Sequence, residues 1–133
     1  IFEQTDRDIN LQRAMNIMAF GNHTGEFDWI PDRAIGPTED SLYENEKDYN
    51  DAQVSAILNK TLEEIRSMPA FEKRRILMGH RRKELKKLIS VYYVQRGWNE
   101  SGIPKIETLK HIGLWEFLND ETRERIASLN EKN

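Results

Sequence analysis

Three histidines, His23, His80 and His111, are the first residues in this sequence able to bind a metal or move a proton. No two of them stand at a spacing that sets two imidazoles on one ion, and no H-E-x-x-H pair occurs. His23 shares a segment with Asp28 and could act there as a base. No serine lies in a G-x-S-x-G turn, and the glycines form no phosphate-cradling loop. The chain has no cysteine, which excludes disulfides, a thiolate zinc site, a cysteine nucleophile and any iron–sulfur cluster held by its own thiolates. The residues therefore predict no catalytic, cofactor-binding or metal-ligating side chain. The lack of cysteine fits a cytoplasmic location.

Charge offers a second kind of chemistry. Lys73, Arg74, Arg75, Arg81, Arg82, Lys83, Lys86 and Lys87 against the single Glu84 give that stretch a charge of +7, while the whole chain is −3. Between Glu39 and Asp51 stand six acids and one base. The basic run could neutralise phosphates or meet an acidic partner as a stand-alone helical interaction module. No aromatic residues are interleaved with it, and a pI of about 5.7 argues against a nucleic-acid binder. The acidic arm and the basic helix could equally pair with each other.

A third constellation is Asn10, Arg13 and Asn16, one turn apart beside Ile9 and Ile17. Polar groups on an apolar face need hydrogen-bond partners. Arg13 is expected to find a carboxylate such as Asp28 or Asp32.

The elements that position these residues read as helices. A helix from Thr5-Asp6 runs to Gly21, burying Ile9, Ile17 and Phe20. Asn22–Glu39 reads as loop, and Asp40–Asn50 as an acidic, weakly ordered surface arm. A second helix, capped by Asp48 or Asp51, carries Val54, Ile57, Leu58, Leu62 and Ile65 in one stripe. A third, capped by Ser67, runs from Pro69 to Gln95. Its buried face includes Phe71, Leu77, Met78, Leu88, Tyr92 and Tyr93, and a kink or break is expected near Gly79-His80. Gly97 ends it, and Trp98–Pro104 is a turn. Ile106–Ile112 is a short helix closed by Gly113, and Asp120 caps a last helix ending near Leu129. The expectation is an all-α fold, a compact bundle of about five helices with a long acidic loop, forming one domain over residues 1–133. No apolar stretch reaches the ~18 residues of a membrane span.

Two stretches together carry a resemblance. The first holds Arg13, Ala14, Met15 and Asn16, then Gly21, then Asp28-Trp29-Ile30-Pro31-Asp32-Arg33. The second is Tyr92-Tyr93-Val94-Gln95-Arg96-Gly97-Trp98, followed by Gly102-Ile103-Pro104, Leu109 and Gly113-Leu114. In order and spacing they resemble the C-terminal helical end of the tungsten-dependent aldehyde ferredoxin oxidoreductases. The segment between Arg33 and Tyr92 is longer and more charged than in the archetypal aldehyde enzymes. In this it is similar to a divergent branch near the tungsten subunit of benzoyl-coenzyme A reductase-like enzymes.

The resemblance implies a parent enzyme that interconverts aldehydes and carboxylates. Its tungsten is held by two molybdopterin-type dithiolenes, and a [4Fe–4S] cluster passes electrons to ferredoxin. It implies no catalytic, pterin or cluster residue in this chain. Arg13, Asn16, Asp28, Pro31, Arg33, Tyr92, Tyr93, Arg96, Gly97, Trp98, Gly102, Pro104 and Gly113 carry architectural roles. The upstream domains of the same enzyme are the implied partners, and neither a membrane nor nucleic acid is. Ile1 in place of methionine fits a piece of a longer chain. The polar–apolar face of the first helix, with the Asp28–Arg33 loop, is the expected contact for those domains.

Overall fold

The computed structural model describes residues 2–132, with the side chain of Phe2 left aside. The order of α-helices is α1 Phe2–Phe20, α2 Asp32–Ile35, α3 Asp40–Asn45, α4 Lys47–Leu58, α5 Leu62–Arg66, α6 Ala70–Arg96, α7 Ile106–His111 and α8 Asp120–Glu131. Short 3₁₀ segments cover Gly21–Asp28 and Trp115–Phe117. The all-α class is as expected. None of the described helices is long and apolar enough to cross a membrane.

The chain forms two compact units, Ile1–Trp29 with Ile89–Asn133, and Ile30–Leu88. The first unit is built on Ala14 and Ile17 of α1, Leu109 of α7, Ile126 and Leu129 of α8, and Ile103, Ile112, Leu114 and Leu118 between them. The second is built on Tyr43, Val54, Ile65 and Leu77, with Ile57, Leu58, Met68 and Ile76 packed against them.

Several sequence expectations change here. The acidic arm is helical: α3 and α4 replace the expected loop. Its other charges lie outward while Tyr43, Asn50, Asp51 and Val54 turn inward and are buried. Asp51 is thus a buried residue inside α4, and it caps nothing. The expected single stripe from Val54 to Ile65 is broken by Asn59, which takes a left-handed conformation with φ 52°. Thr61 then starts α5 with a capping box, its side chain accepting from the Glu64 N–H while Glu64 accepts from the Thr61 N–H. That T-x-x-E signature was present in the sequence.

Gly79 does not break α6, because a helical glycine costs only about 1 kcal/mol and good helix formers flank it on both sides. Ser67 caps no helix start; its hydroxyl donates to the Glu64 carbonyl at the end of α5. Asn119, not Asp120, caps α8, accepting from the Thr122 N–H over 2.9 Å. α1 starts at Phe2, ahead of Thr5. Phe20, Phe71, Leu88 and Tyr92, expected inside, are exposed. Phe20 stacks instead on Phe27, with ring centroids 4.3 Å apart.

Candidate functional site

Helical spacing places Asn10, Arg13, Ala14 and Ile17 on the buried face of α1. Asn16 falls off that face and is exposed. Gly21 leaves α1 with φ 60°, and the 3₁₀ segment after it returns Asp28 to Arg13. Thr24, buried within that segment, donates to the Gly21 carbonyl over 2.6 Å.

The second half of the site grows from the end of α6. Gly97, with φ 67°, closes the helix in a Schellman arrangement. The Gly97 N–H reaches the Val94 carbonyl, and the Trp98 N–H reaches the Tyr93 carbonyl. The chain then turns tightly: the Asn99 carboxamide oxygen accepts from the N–H groups of Ser101 and Ile103, each over 3.0 Å. Trp98 bridges to Pro104, and the Thr108 hydroxyl donates to the Gly97 carbonyl over 2.7 Å. Gly113 repeats the Schellman closure at the end of α7, with φ 66° and Leu114 bonded back to Leu109.

Arg13 joins the two halves. Its Nη1 and Nη2 donate to the two oxygens of Asp28 over 2.8 and 2.6 Å, and its Nε donates to the Gly102 carbonyl over 2.7 Å. The guanidinium carbon lies 4.5 Å from the Trp98 ring centroid and 5.8 Å from that of Tyr93. The Trp98 indole N–H donates to Asn10 over 2.9 Å, and the Tyr93 hydroxyl donates to Asp28. Nearby, Arg96 donates to Asp6 over 2.8 Å and lies over the Tyr92 ring.

This cluster is poorly suited to acid–base chemistry. Both Asp28 oxygens are already held by donors. Burial, together with the bond to Asp28, pushes the Tyr93 hydroxyl up to about 12, so it stays protonated at neutral pH. A planar, bidentate arginine stacked on aromatics is a rigid fastener.

Of the motif residues, Arg13, Asp28, Tyr93, Gly97, Trp98, Gly102 and Pro104 come together in the first unit. Tyr92 and Arg96 flank them, and Gly113 closes α7. Asn16 does not join. Pro31 and Arg33 belong to the second unit, where both are exposed. The pairing of Arg13 with Asp28 is one of the two expected alternatives. Asp32 pairs instead with Arg82, at 2.5 and 3.1 Å, which holds its carboxyl below the ordinary range.

His23 meets Glu26 at 2.7 Å on the surface and takes no part with Asp28. No group of three or more metal-ligating side chains exists among the described residues. With no cysteine in the chain, its donor set does not fit an iron–sulfur cluster.

The basic run of α6 is largely answered within its own unit. Lys73 pairs with Asp51, Arg74 with Asp40, Arg82 with Asp32 and Lys87 with Glu84. Arg81 donates to the Ile35 carbonyl and to Gln53. The acidic and basic segments therefore meet each other, and fewer cations remain for phosphates than the sequence suggests.

The model of the family described as aldehyde ferredoxin oxidoreductase, domains 2 and 3, matches residues 1–114. The chain belongs to the aldehyde ferredoxin oxidoreductase family. The match includes the whole Arg13 cluster and leaves out α8. No curated protein and no solved structure matched the chain. Membership in the aldehyde ferredoxin oxidoreductase family ties this helical chain to a larger oxidoreductase with further domains.

The face expected to meet those domains is covered in part: Trp29, Ile30, Pro31 and Arg33 of its loop are exposed, but its helical half is not. Asn10, Arg13, Ala14 and Ile17 are covered by the unit's own residues. A second apolar stripe on α1, Leu11, Met15 and Met18, lies about a third of a turn away and is exposed.

Proposed function

We propose that this chain is a non-catalytic helical part of a tungstopterin and iron–sulfur enzyme of its family, one that interconverts aldehydes and carboxylates and delivers electrons to ferredoxin. The observation that carries this reading is the Arg13 cluster. Its residues are among those that carry the resemblance to the family, yet its polar groups are used up in holding α1, the 3₁₀ segment and the turn after α6 together. The bound tungstopterin would supply the redox chemistry. This chain's residues would supply a rigid helical support.

The long, highly charged segment between Arg33 and Tyr92 supports a branch near the benzoyl-coenzyme A reductase-like enzymes. Leu11, Met15 and Met18 supply an adaptable apolar face for the other domains of the enzyme.

Co-expression with a pterin- and cluster-bearing family domain tests the reading. The native chain is expected to co-purify with that domain, and Met15→Asp, a change at a residue 65% exposed, is expected to abolish co-purification without unfolding the chain. Failure of the native chain to co-purify, or indifference to Met15→Asp, would contradict it.

A further inference from the structure

The packing of α3, α4 and α6 in the second unit buries four polar side chains together. Tyr43, Asn50, Asp51 and Lys73 are each no more than 1% exposed. Lys73 Nζ donates to Asp51 Oδ1 over 2.8 Å, and the Tyr43 hydroxyl donates to the same oxygen over 2.7 Å. Asn50 Nδ2 donates to the Tyr43 carbonyl over 3.0 Å. One carboxylate oxygen is thus bonded twice, while Asp51 Oδ2 and Asn50 Oδ1, both buried, have no protein donor. Lys73 has three N–H groups, of which one serves Asp51. Its ammonium also lies 5.1 Å from the Tyr43 ring centroid. A buried charged oxygen with no donor is costly, and native proteins satisfy such groups.

We propose that this junction is a binding site for an internal water molecule, which donates to Asp51 Oδ2 and to Asn50 Oδ1 and accepts from Lys73 Nζ. The charges already present select the ligand class. A second cation would face the Lys73 ammonium, and an anion would face the Asp51 carboxylate. A small neutral molecule that both donates and accepts meets the two groups at once, and a buried water takes two to four such partners. The apolar neighbours Val54, Ile65 and Leu77 supply no competing donor. The water would complete the ionic link between α4 and α6 and hold the carboxylate in one orientation.

A high-resolution crystal structure of the native chain, together with water-to-protein cross-relaxation in solution, tests the site. The expected result is a single ordered water at hydrogen-bond distance from both Asp51 Oδ2 and Lys73 Nζ, with a long-lived magnetic contact to the Asn50 side-chain amide. In the Asp51→Leu/Lys73→Met double variant that contact is expected to be lost while helical circular dichroism is retained. Should the double variant not fold, the native measurements decide alone. A protein donor at Asp51 Oδ2, an ion at the site, or no ordered density beside that oxygen would overturn the proposal.

Discussion

Arg13 and Asp28 lie fifteen residues apart and meet through two parallel N–H···O bonds of 2.8 and 2.6 Å. The same guanidinium donates to the Gly102 carbonyl, so one side chain fastens three segments of the first unit. Arg13 is 5% exposed and Asp28 28%, so the pair is only partly screened by solvent.

Arg13→Lys keeps the charge and loses the fork, the bond to Gly102 or both. It is expected to lower unfolding stability by about 2 kcal/mol, less than removal of the charge would cost because the lysine still faces the carboxylate. Arg33→Lys, at an exposed motif position, is expected to stay within about 0.5 kcal/mol of the native chain. Urea denaturation of both variants checks the contrast, and equal losses would refute it.

Two glycines should respond in opposite directions to alanine. Gly102 has φ 74°, and a Cβ there would lie 2.2 Å from Arg13 Nη2 and 2.7 Å from Tyr93 Cζ. Gly102→Ala is therefore expected to destabilise by about 2 kcal/mol or more. Gly79 sits in the middle of α6, with open space where a Cβ would go. Gly79→Ala is expected to stabilise by about 0.5–1 kcal/mol. Thermal melts of the two variants decide.

Much of this was legible in the sequence, and the misses have physical causes. The glycine closures at Gly21, Gly97 and Gly113 follow from local backbone chemistry. The need to satisfy a charge on an apolar face pointed to a carboxylate for Arg13 and left Asp28 and Asp32 as alternatives, which only the fold separates. The helical state of Asp40–Asn50 was hidden because composition alone reads its acids as solvated. It is set by tertiary partners, with Lys73 and Arg74 brought in from α6. Gly79 misled in the reverse direction, since propensity at one position does not break a helix that packing holds. The exposure of Phe20, Phe71, Leu88 and Tyr92 was also hidden, because a stripe of apolar spacing does not say what lies opposite it.

Lys73→Met should be more harmful than the double change Lys73→Met with Asp51→Leu. The single variant leaves a buried carboxylate without its cation, costing about 3–5 kcal/mol, whereas the double variant leaves no buried charge and loses only the acceptor of the Tyr43 hydroxyl, about 1–3 kcal/mol. Additive losses in a double-mutant cycle would contradict this.

The same residue gives a pH dependence. Burial pushes the Asp51 carboxyl up, but hydrogen bonds from Lys73 and Tyr43 outweigh that and hold it below its ordinary value. Its folded-state value is depressed, so its contribution is present above the unfolded value near 3.8 and is lost as pH falls further. At the alkaline end the Tyr93 hydroxyl, raised to about 12, stabilises fully below the ordinary value of 10.0 and loses that effect as pH rises toward 12. Stability against pH should therefore fall less steeply above pH 10 in Tyr93→Phe than in the native chain. Spectrophotometric titration of the phenols provides an independent check.

The most direct measurement of the central claim is the tungsten and iron content of the chain, purified from cells supplied with both metals and assayed for aldehyde oxidation. A helical support with no thiolate of its own should carry neither metal in stoichiometric amount and show no turnover. Stoichiometric tungsten or iron bound to this chain alone, or aldehyde oxidation by it, would contradict the reading.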